Sequence, residues 1–278
     1  MPELPEVNTY QKYVDAAAVG RTVARVDVAD DYIVKQVGDH VGNTTAATSE
    51  PGVLGGRFAD RLAGQRIAGT YRRGKYLFAD LDSGHSVLLH FGMTGDLKLY
   101  ADPAERPRHE RLAFVFADDG ARLGFDDPRK FAKIRYLHDR EAYVRDIRLG
   151  TDALEITAEA FLAQAEGRRT AVKAFLLNQT ALAGVGNLYA DEILYRTRIH
   201  PESRVAALSR KRLLAIHEAM REILAVACER DAYYRDYPPD WFWQWRKEAR
   251  VAGRGEVRAG TVGGRTTHWV DPWQRLYR

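Results

Sequence analysis

The 278-residue chain holds a single cysteine, Cys228. That excludes an internal disulfide and any cysteine-cluster zinc site. Cys228 lies in an apolar helical run, LAVACE, and reads as a small buried hydrophobe. No stretch approaches the roughly 18–20 apolar residues that a membrane-spanning helix needs. The opening, MPELPEV, is acidic and proline-bearing, whereas a secretory signal starts basic and continues apolar. Internal repeats and low-complexity tracts are also lacking. These absences lead to the expectation of a soluble cytoplasmic protein with no membrane partner.

The hydrophobic fraction, 45%, is enough core for one large domain or two ordinary ones. The net charge is +4 and the pI about 9.1. The excess is concentrated at the end: from Trp241 onward, eight basic residues face three acidic ones. They are interleaved with Trp241, Phe242, Trp243, Trp245, Trp269 and Trp273. Cations among aromatics suit a polyanion with stackable bases, although a solvated basic tail has the same composition.

Hydrophobic periodicity divides the chain near residue 150. Residues 6–19 read as a helix, with Val7, Tyr10, Val14 and Val19 at near-helical spacing. Short alternating runs follow, including IAGTYRRGKYLFADLD, HSVLLHFGMTGDLKLY and RLAFVFADDGARLGFDD, the last with a DDG turn signal. They predict a mainly antiparallel β-sandwich. The Gly-, Ser-, Thr- and Asn-rich stretch ending in EPGVLGG reads as a loop through residue 56. After a polar segment, LGTDALEIT, the pattern is helical from Thr157 to Glu229, opening with a threonine cap. Helical period is lost in the last 35 or so residues, where RAGTVGGRTTHW suggests a β-hairpin.

Four motifs permit chemistry. Removal of Met1 would leave Pro2 as a free secondary amine. An α-amino group has a pKa of about 7.7–8.0, so part of it is neutral and nucleophilic near pH 7. It can form an iminium with an aldehyde-like carbon, and Glu3 and Glu6 are close enough in sequence to move protons. The same residues also describe a frayed polar terminus. In AGVGNLYADEIL a glycine-rich turn feeds a helix starting near Asn187, a start that offers free N–H groups to phosphate or merely turns a corner. HFGMTG and DDPRKF place Met93 and Phe131 near turns, as apolar wedges for a duplex step or as ordinary core. VGGRTTHW presents Arg265 at a hairpin tip, where its fork could meet a phosphate.

The order of MPELPEV, RGKYL, HFGMTG, DDPRKF, AGVGNLYADEIL, RIHPE and GGRTTH along nearly the whole chain resembles the formamidopyrimidine-DNA glycosylase/endonuclease VIII family. Leu4 resembles the formamidopyrimidine branch. The resemblance implies an α+β fold with an N-terminal catalytic β-sandwich (1–142), a linker (143–152), a helix-two-turn-helix domain (153–240) and a β-hairpin finger (241–278). It implies a bifunctional DNA glycosylase/AP lyase of base excision repair that needs no metal or cofactor. Its partner would be damaged double-stranded DNA, held in a cleft by one chain, so the expected state is a monomer, nucleoid-associated in a bacterial cell. Pro2 would attack C1′ of a nucleotide flipped from the duplex. Glu3 would be the acid at the sugar and Glu6 its support. Lys75 would grip phosphate near the lesion, and His90, Asn187 and Arg265 would make other phosphate contacts. Lys173 would approach the lesion and Glu192 would stand beside the pocket. Met93, Arg129 and Phe131 would fill the gap left by flipping, with Arg129 facing the orphaned base.

Two departures stand out. The family's finger usually carries CxxC…CxxC, but here Val270-Asp-Pro-Trp273 stands where the last pair would fall and the first has no counterpart. A zincless finger is expected, held by Val257, Val262, Trp269 and Trp273. Between Cys228 and Val251, ERDAYYRDYPPDWFWQWRKEAR stands where the 8-oxoguanine branch usually has a Gly/Thr-rich loop over the flipped base. Formamidopyrimidines, 8-oxoguanine and hydantoins all stay open as lesions. A catalytically silent lesion binder on the same scaffold is the competing reading, although it has no need for a nucleophilic terminus. A general nucleic-acid module would leave the wedge residues unexplained.

Overall fold

The computed structural model describes residues 2–37 and 53–278. Contacts group them into two units, Pro2 with Val7–Arg148 and Glu3–Glu6 with Leu149–Arg278. The break falls inside the segment 143–152 read as a linker.

The helix α1 (Leu4–Ala18), whose residues from Val7 onward belong to the first unit, starts two residues before the expected helix. It buries Val7, Val14, Ala17 and Ala18 at helical spacing. Tyr10 lies flat on Phe91, ring centroids 4.1 Å apart. Then come β1 (Val23–Val28), β2 (Val34–Val37), α2 (Val53–Leu62), β3 (Ile67–Arg73), β4 (Tyr76–Leu81), β5 (Ser86–His90), β6 (Asp96–Tyr100), β7 (Glu110–Phe116), β8 (Arg122–Asp126), β9 (Lys133–Leu137) and α3 (Arg140–Asp146). They form two sheets, ordered β1-β7-β8-β6 and β2-β9-β5-β4-β3. Phe114, Leu123 and Phe125 of one sheet share a core with Leu77, Leu89 and Ile134 of the other. This is the expected sandwich, antiparallel except that β2 runs parallel to β9.

The segment read as a loop through residue 56 is corrected at its end, because Val53 to Gly56 open α2. A Cβ on Gly55 would come within 2.9 Å of Asp31 and Val28, so glycine there lets the helix lie against β1. Composition alone reads such a glycine as a breaker. The rest of that stretch, residues 38–52, lies outside the described residues.

The second unit holds β10 (Thr151–Asp152), α4 (Ala158–Ala165), α5 (Val172–Leu176), β11 (Leu182–Ala183), α6 (Asn187–Arg196) and α7 (Arg210–Glu229), then β12 (Arg250–Val251), β13 (Gly255–Val262) and β14 (Arg265–Asp271). Thr157 caps α4 by accepting from Ala160 N–H, and Ser209 caps α7 from Arg212 N–H. Leu4, Phe161, Phe175, Tyr189, Ile216 and Met220 belong to one apolar core. β12, β13 and β14 make an antiparallel finger, with Val262 opposite Arg265 across the Gly263-Gly264 turn.

At the finger's base a small core joins Tyr195, Phe242, Val251 and Val270, with Val257 and Trp273 packed against it. Two of the four expected residues are therefore placed otherwise. Val262 is buried near the tip, and Trp269 meets His200 edge-on with centroids 4.8 Å apart. The finger offers no thiol, since Cys228 lies buried in α7. Among the described residues no group of three His, Cys, Asp or Glu could hold a metal ion. The donor set does not fit the family's structural zinc. No helix among the described residues is long and apolar enough to cross a membrane.

Candidate active site and nucleic-acid interface

The start of α6 lacks a side-chain cap of its own, because its N-cap is Gly186. Glu3 supplies one from the other end of the sequence. Its Oε2 accepts from Gly186 N–H at 2.8 Å and Tyr189 N–H at 3.3 Å, and its Oε1 from Leu188 N–H at 2.8 Å. The carboxylate is buried at the positive end of the helix dipole. A Cβ on residue 186 would overlap the Glu3 side chain, so the glycine is needed for this approach. Gly184 does similar work one step earlier, where Leu4 N–H donates to its carbonyl at 3.1 Å. The turn read as a phosphate cradle thus anchors a carboxylate.

Pro2 is half-buried and immediately precedes this anchored residue. Glu6 Oε2 accepts from Glu3 N–H at 2.9 Å. Its Oε1 accepts from Tyr234 Oη at 2.6 Å and Tyr189 Oη at 3.1 Å. Glu3 and Glu6 therefore stand in one hydrogen-bonded corner, which Pro2 immediately precedes in the chain.

Lys173 and Glu192 sit differently from their expected DNA contacts. Lys173 is fully buried, and its Nζ bonds Asp191 Oδ1 at 2.6 Å and Thr267 Oγ1 at 2.8 Å. Burial pushes the ammonium's pKa down while Asp191 pulls it up. An ammonium so enclosed holds α5, α6 and β14 together and presents no donor to a phosphate. Glu192 is buried too, accepting from Phe242 N–H and Trp243 N–H, each at 2.9 Å. Burial pushes its carboxyl up to about 7, against the pull of those two donors. It braces the turn Phe242–Gln244 and faces no solvent.

Asn187 spends its Nδ2 on Thr266 O at 2.9 Å, which ties the start of α6 to β14. Its Oδ1 is buried and has no hydrogen-bond partner. Arg265, the residue before Thr266 on the same strand, is exposed beside the finger turn.

In the first unit, Lys75 is buried in the two-residue turn between β3 and β4, where Arg73 pairs with Tyr76. His90 closes β5 half-buried, and its Nδ1 accepts from Gly92 N–H at 3.2 Å. Burial, then the nearby Lys133 and Lys75, push its imidazole down to about 4. His90 is therefore a neutral ring whose Nε2 carries the proton, a hydrogen-bond donor more than a cation.

Met93 and Phe131 are exposed, at 42% and 47%. The Arg129 guanidinium lies 4.7 Å from the Phe131 ring centroid. A Cβ on Gly92 would overlap the backbone of Phe131, so the two loops touch at main-chain level. Asp127 fastens them. It is fully buried and accepts from Thr94 Oγ1 at 2.7 Å and Ala132 N–H at 2.8 Å. Exposed apolar side chains on so tightly tied a base match the geometry of a wedge, and the cation beside them suits a base edge.

Asp127, Asp191, Tyr189, Tyr234 and Tyr237 were not singled out by the sequence. The doubled aspartates of DDPR and the ADE following NLY were the available signals.

Residues 1–134 match the model of the formamidopyrimidine-DNA glycosylase N-terminal domain, and residues 149–236 that of the formamidopyrimidine-DNA glycosylase H2TH domain. A formamidopyrimidine-DNA glycosylase of Arabidopsis thaliana is 32% identical over 100% of this chain and 72% of its own length. One of Xanthomonas campestris pv. campestris (strain B100) is 32% identical over 99% of this chain and all of its own. Among solved structures, a Lactococcus lactis FPG mutant in complex with Fapy-dG-containing DNA is 26% identical, with a TM-score of 0.83 over 99% of this chain and 100% of that one. MutM in complex with DNA containing carbocyclic 8-oxo-G is 25% identical, again with a TM-score of 0.83 over 99% and 100%. Two matched models that together span most of the chain, relatives 32% identical to it and the shared fold lead to one conclusion: the chain belongs to the formamidopyrimidine-DNA glycosylase family.

Proposed function

We propose that this DNA glycosylase of base excision repair is bifunctional, releasing an oxidised base and then cutting the backbone as an AP lyase through an iminium on Pro2. The observation that carries the reading is Glu3, the residue after Pro2, held by three backbone N–H groups at the start of α6, one of them from its N-cap Gly186. A carboxylate fixed so close in sequence to an amine can stabilise the developing iminium charge and pass a proton at the sugar.

The Pro2 nitrogen attacks C1′ of the flipped nucleotide, and the bond from C1′ to the base breaks with its electron pair leaving on the base. Opening of the sugar ring gives the iminium and a hydroxyl at C4′. Loss of a proton from C2′ then expels the 3′ phosphate, and a further elimination expels the 5′ phosphate. Met93, Arg129 and Phe131 fill the vacated stack, and His90 Nε2–H, Asn187 and Arg265 meet phosphates. Lys75 is assigned to the phosphates nearest the lesion. Lys173 and Glu192 act from within, by holding β14 and the turn Phe242–Gln244.

Formamidopyrimidine and 8-oxoguanine are the lesions in the relatives' complexes, and both are candidates here with the hydantoins. Borohydride trapping on duplexes carrying 8-oxoguanine, a hydantoin or an abasic site tests the chemistry. Wild-type protein is expected to form a covalent adduct. Pro2→Gly is expected to lose trapping and strand cutting by at least about a hundredfold while still binding damaged DNA. Undiminished activity in that variant overturns the role of Pro2. Tight binding with no adduct on any duplex replaces the reading with a silent lesion binder.

A further inference from the structure

We infer that Tyr234, with Tyr189 and Tyr237 behind it, is a positioning residue for the Pro2 nucleophile and acts through Glu6. The inference rests on the iminium reading above.

Glu6 has donors on both oxygens. Tyr234 and Tyr189 hold Oε1, and the N–H of Glu3 holds Oε2. Tyr189 Oη is in turn bonded to Tyr237 Oη at 2.5 Å. A chain of hydroxyls therefore runs from the buried Tyr237 to the carboxylate that fixes the Pro2–Glu3 peptide, the first of the mature protein. That peptide is planar, and the pyrrolidine ring of Pro2 is rigid. Once the Glu3 N–H is held, one torsion, ψ of Pro2, sets where the amine points. Near-attack geometry tolerates little error, since a misplacement of about 1 Å can cost on the order of a hundredfold in rate.

The aromatic packing makes this mount stiff. The Tyr234 ring lies 4.5 Å from Trp243 and meets Tyr237 edge-on at 5.5 Å. Tyr237 packs at 4.7 Å against the fully buried Trp241. Burial, with Glu6 nearby, pushes the three phenols well above their usual range, so they remain neutral donors at any working pH. The segment that departs from the family's Gly/Thr-rich loop thus reaches the reaction through Glu6, as part of the nucleophile's mount.

The test is single-turnover borohydride trapping on an abasic-site duplex, with affinity measured separately on a duplex carrying the unreactive tetrahydrofuran analogue. Tyr234→Phe keeps the ring and removes the donor. Trapping is expected to slow about tenfold, with affinity changed less than about twofold. Combined with Glu6→Gln, Tyr234→Phe is expected to add no further loss, because both act through one group. Tyr189→Phe, which removes the other donor to the same oxygen, is expected to slow trapping in the same direction, and it serves if Tyr234→Phe folds poorly. Trapping at the wild-type rate in both single variants overturns the inference, as does an undiminished Tyr234→Phe effect in the Glu6→Gln background. Absence of any wild-type adduct strikes instead at the iminium reading.

Discussion

His90 ends β5 close to two lysines, and burial and those cations together push its imidazole down to about 4. In the unfolded chain the same ring takes up its proton near pH 6.5. Between these values the unfolded state binds more protons than the folded one, so stability falls as the pH drops from about 6.5 towards 4. Each pKa unit is worth about 1.4 kcal/mol, which makes the full loss on the order of 3 kcal/mol. Urea unfolding across this window is expected to show that loss, and His90→Gln is expected to reduce it. A ring titration midpoint near 6.5 by NMR would contradict the neutral-donor role. Single residues also mark where the sequence was legible. Glu3 and Glu6 stand together in MPELPEV, and their closeness in the structure could be read there; the chemistry proposed for them with Pro2 rests on an amine and two carboxylates within seven residues. Tyr234 gave no such sign, because the carboxylate it serves lies 228 residues away. Lys173 looked like a DNA contact for the same reason, since only the fold reveals that Asp191 and Thr267 enclose it.

At the scale of elements, α6 does the most organising. Its first N–H groups hold Glu3, its Asp191 meets Lys173 and His268 N–H, and its Glu192 reaches the turn Phe242–Gln244. Three consecutive needs are met within NLYADEIL, where apolar periodicity reports only that the helix has a buried face. The short α5 shows the same limit. RRTAVKAFLLNQ has helical period throughout, yet only Val172–Leu176 is helical, and Ala171 pairs with Arg204 instead. Local pattern gives existence and type of an element, while its ends are set by partners distant in sequence. The Glu192 brace is testable because each of its oxygens serves one N–H. Glutamine has one carbonyl oxygen, so Glu192→Gln points an NH2 group at a second donor. The buried, unsatisfied N–H should cost about 1–3 kcal/mol. The urea midpoint is expected to fall with an unchanged slope, and a variant as stable as wild type would remove the bracing role.

At the scale of the whole molecule, a finger of this kind can be held in two ways. A structural zinc draws four ligands together through bonds that no packing matches individually. This chain gathers Tyr195, Phe242, Val251 and Val270 into a small core instead, with Val270 fully buried. Arg254 adds a cation 5.0 Å from the Trp273 ring and 5.1 Å from the Tyr195 ring. The absence of cysteine from the finger was plain in the sequence. Which side chains pack at the finger's base was only half legible, because Tyr195 comes from α6 and Phe242 from the turn that Glu192 braces. The two modes of support respond oppositely to two perturbations. Chelator should leave the melting temperature and the trapping yield unchanged. Val270→Ala, which removes buried methyl groups from the finger's base, should lower hydrogen-exchange protection of β13 and β14 by about 1–3 kcal/mol. Because Arg265 rides on β14, that variant should also weaken damaged-DNA binding while α7 keeps its protection. A fall in melting temperature with chelator, or full protection of β13 and β14 in Val270→Ala, would show that something other than this apolar core secures the finger.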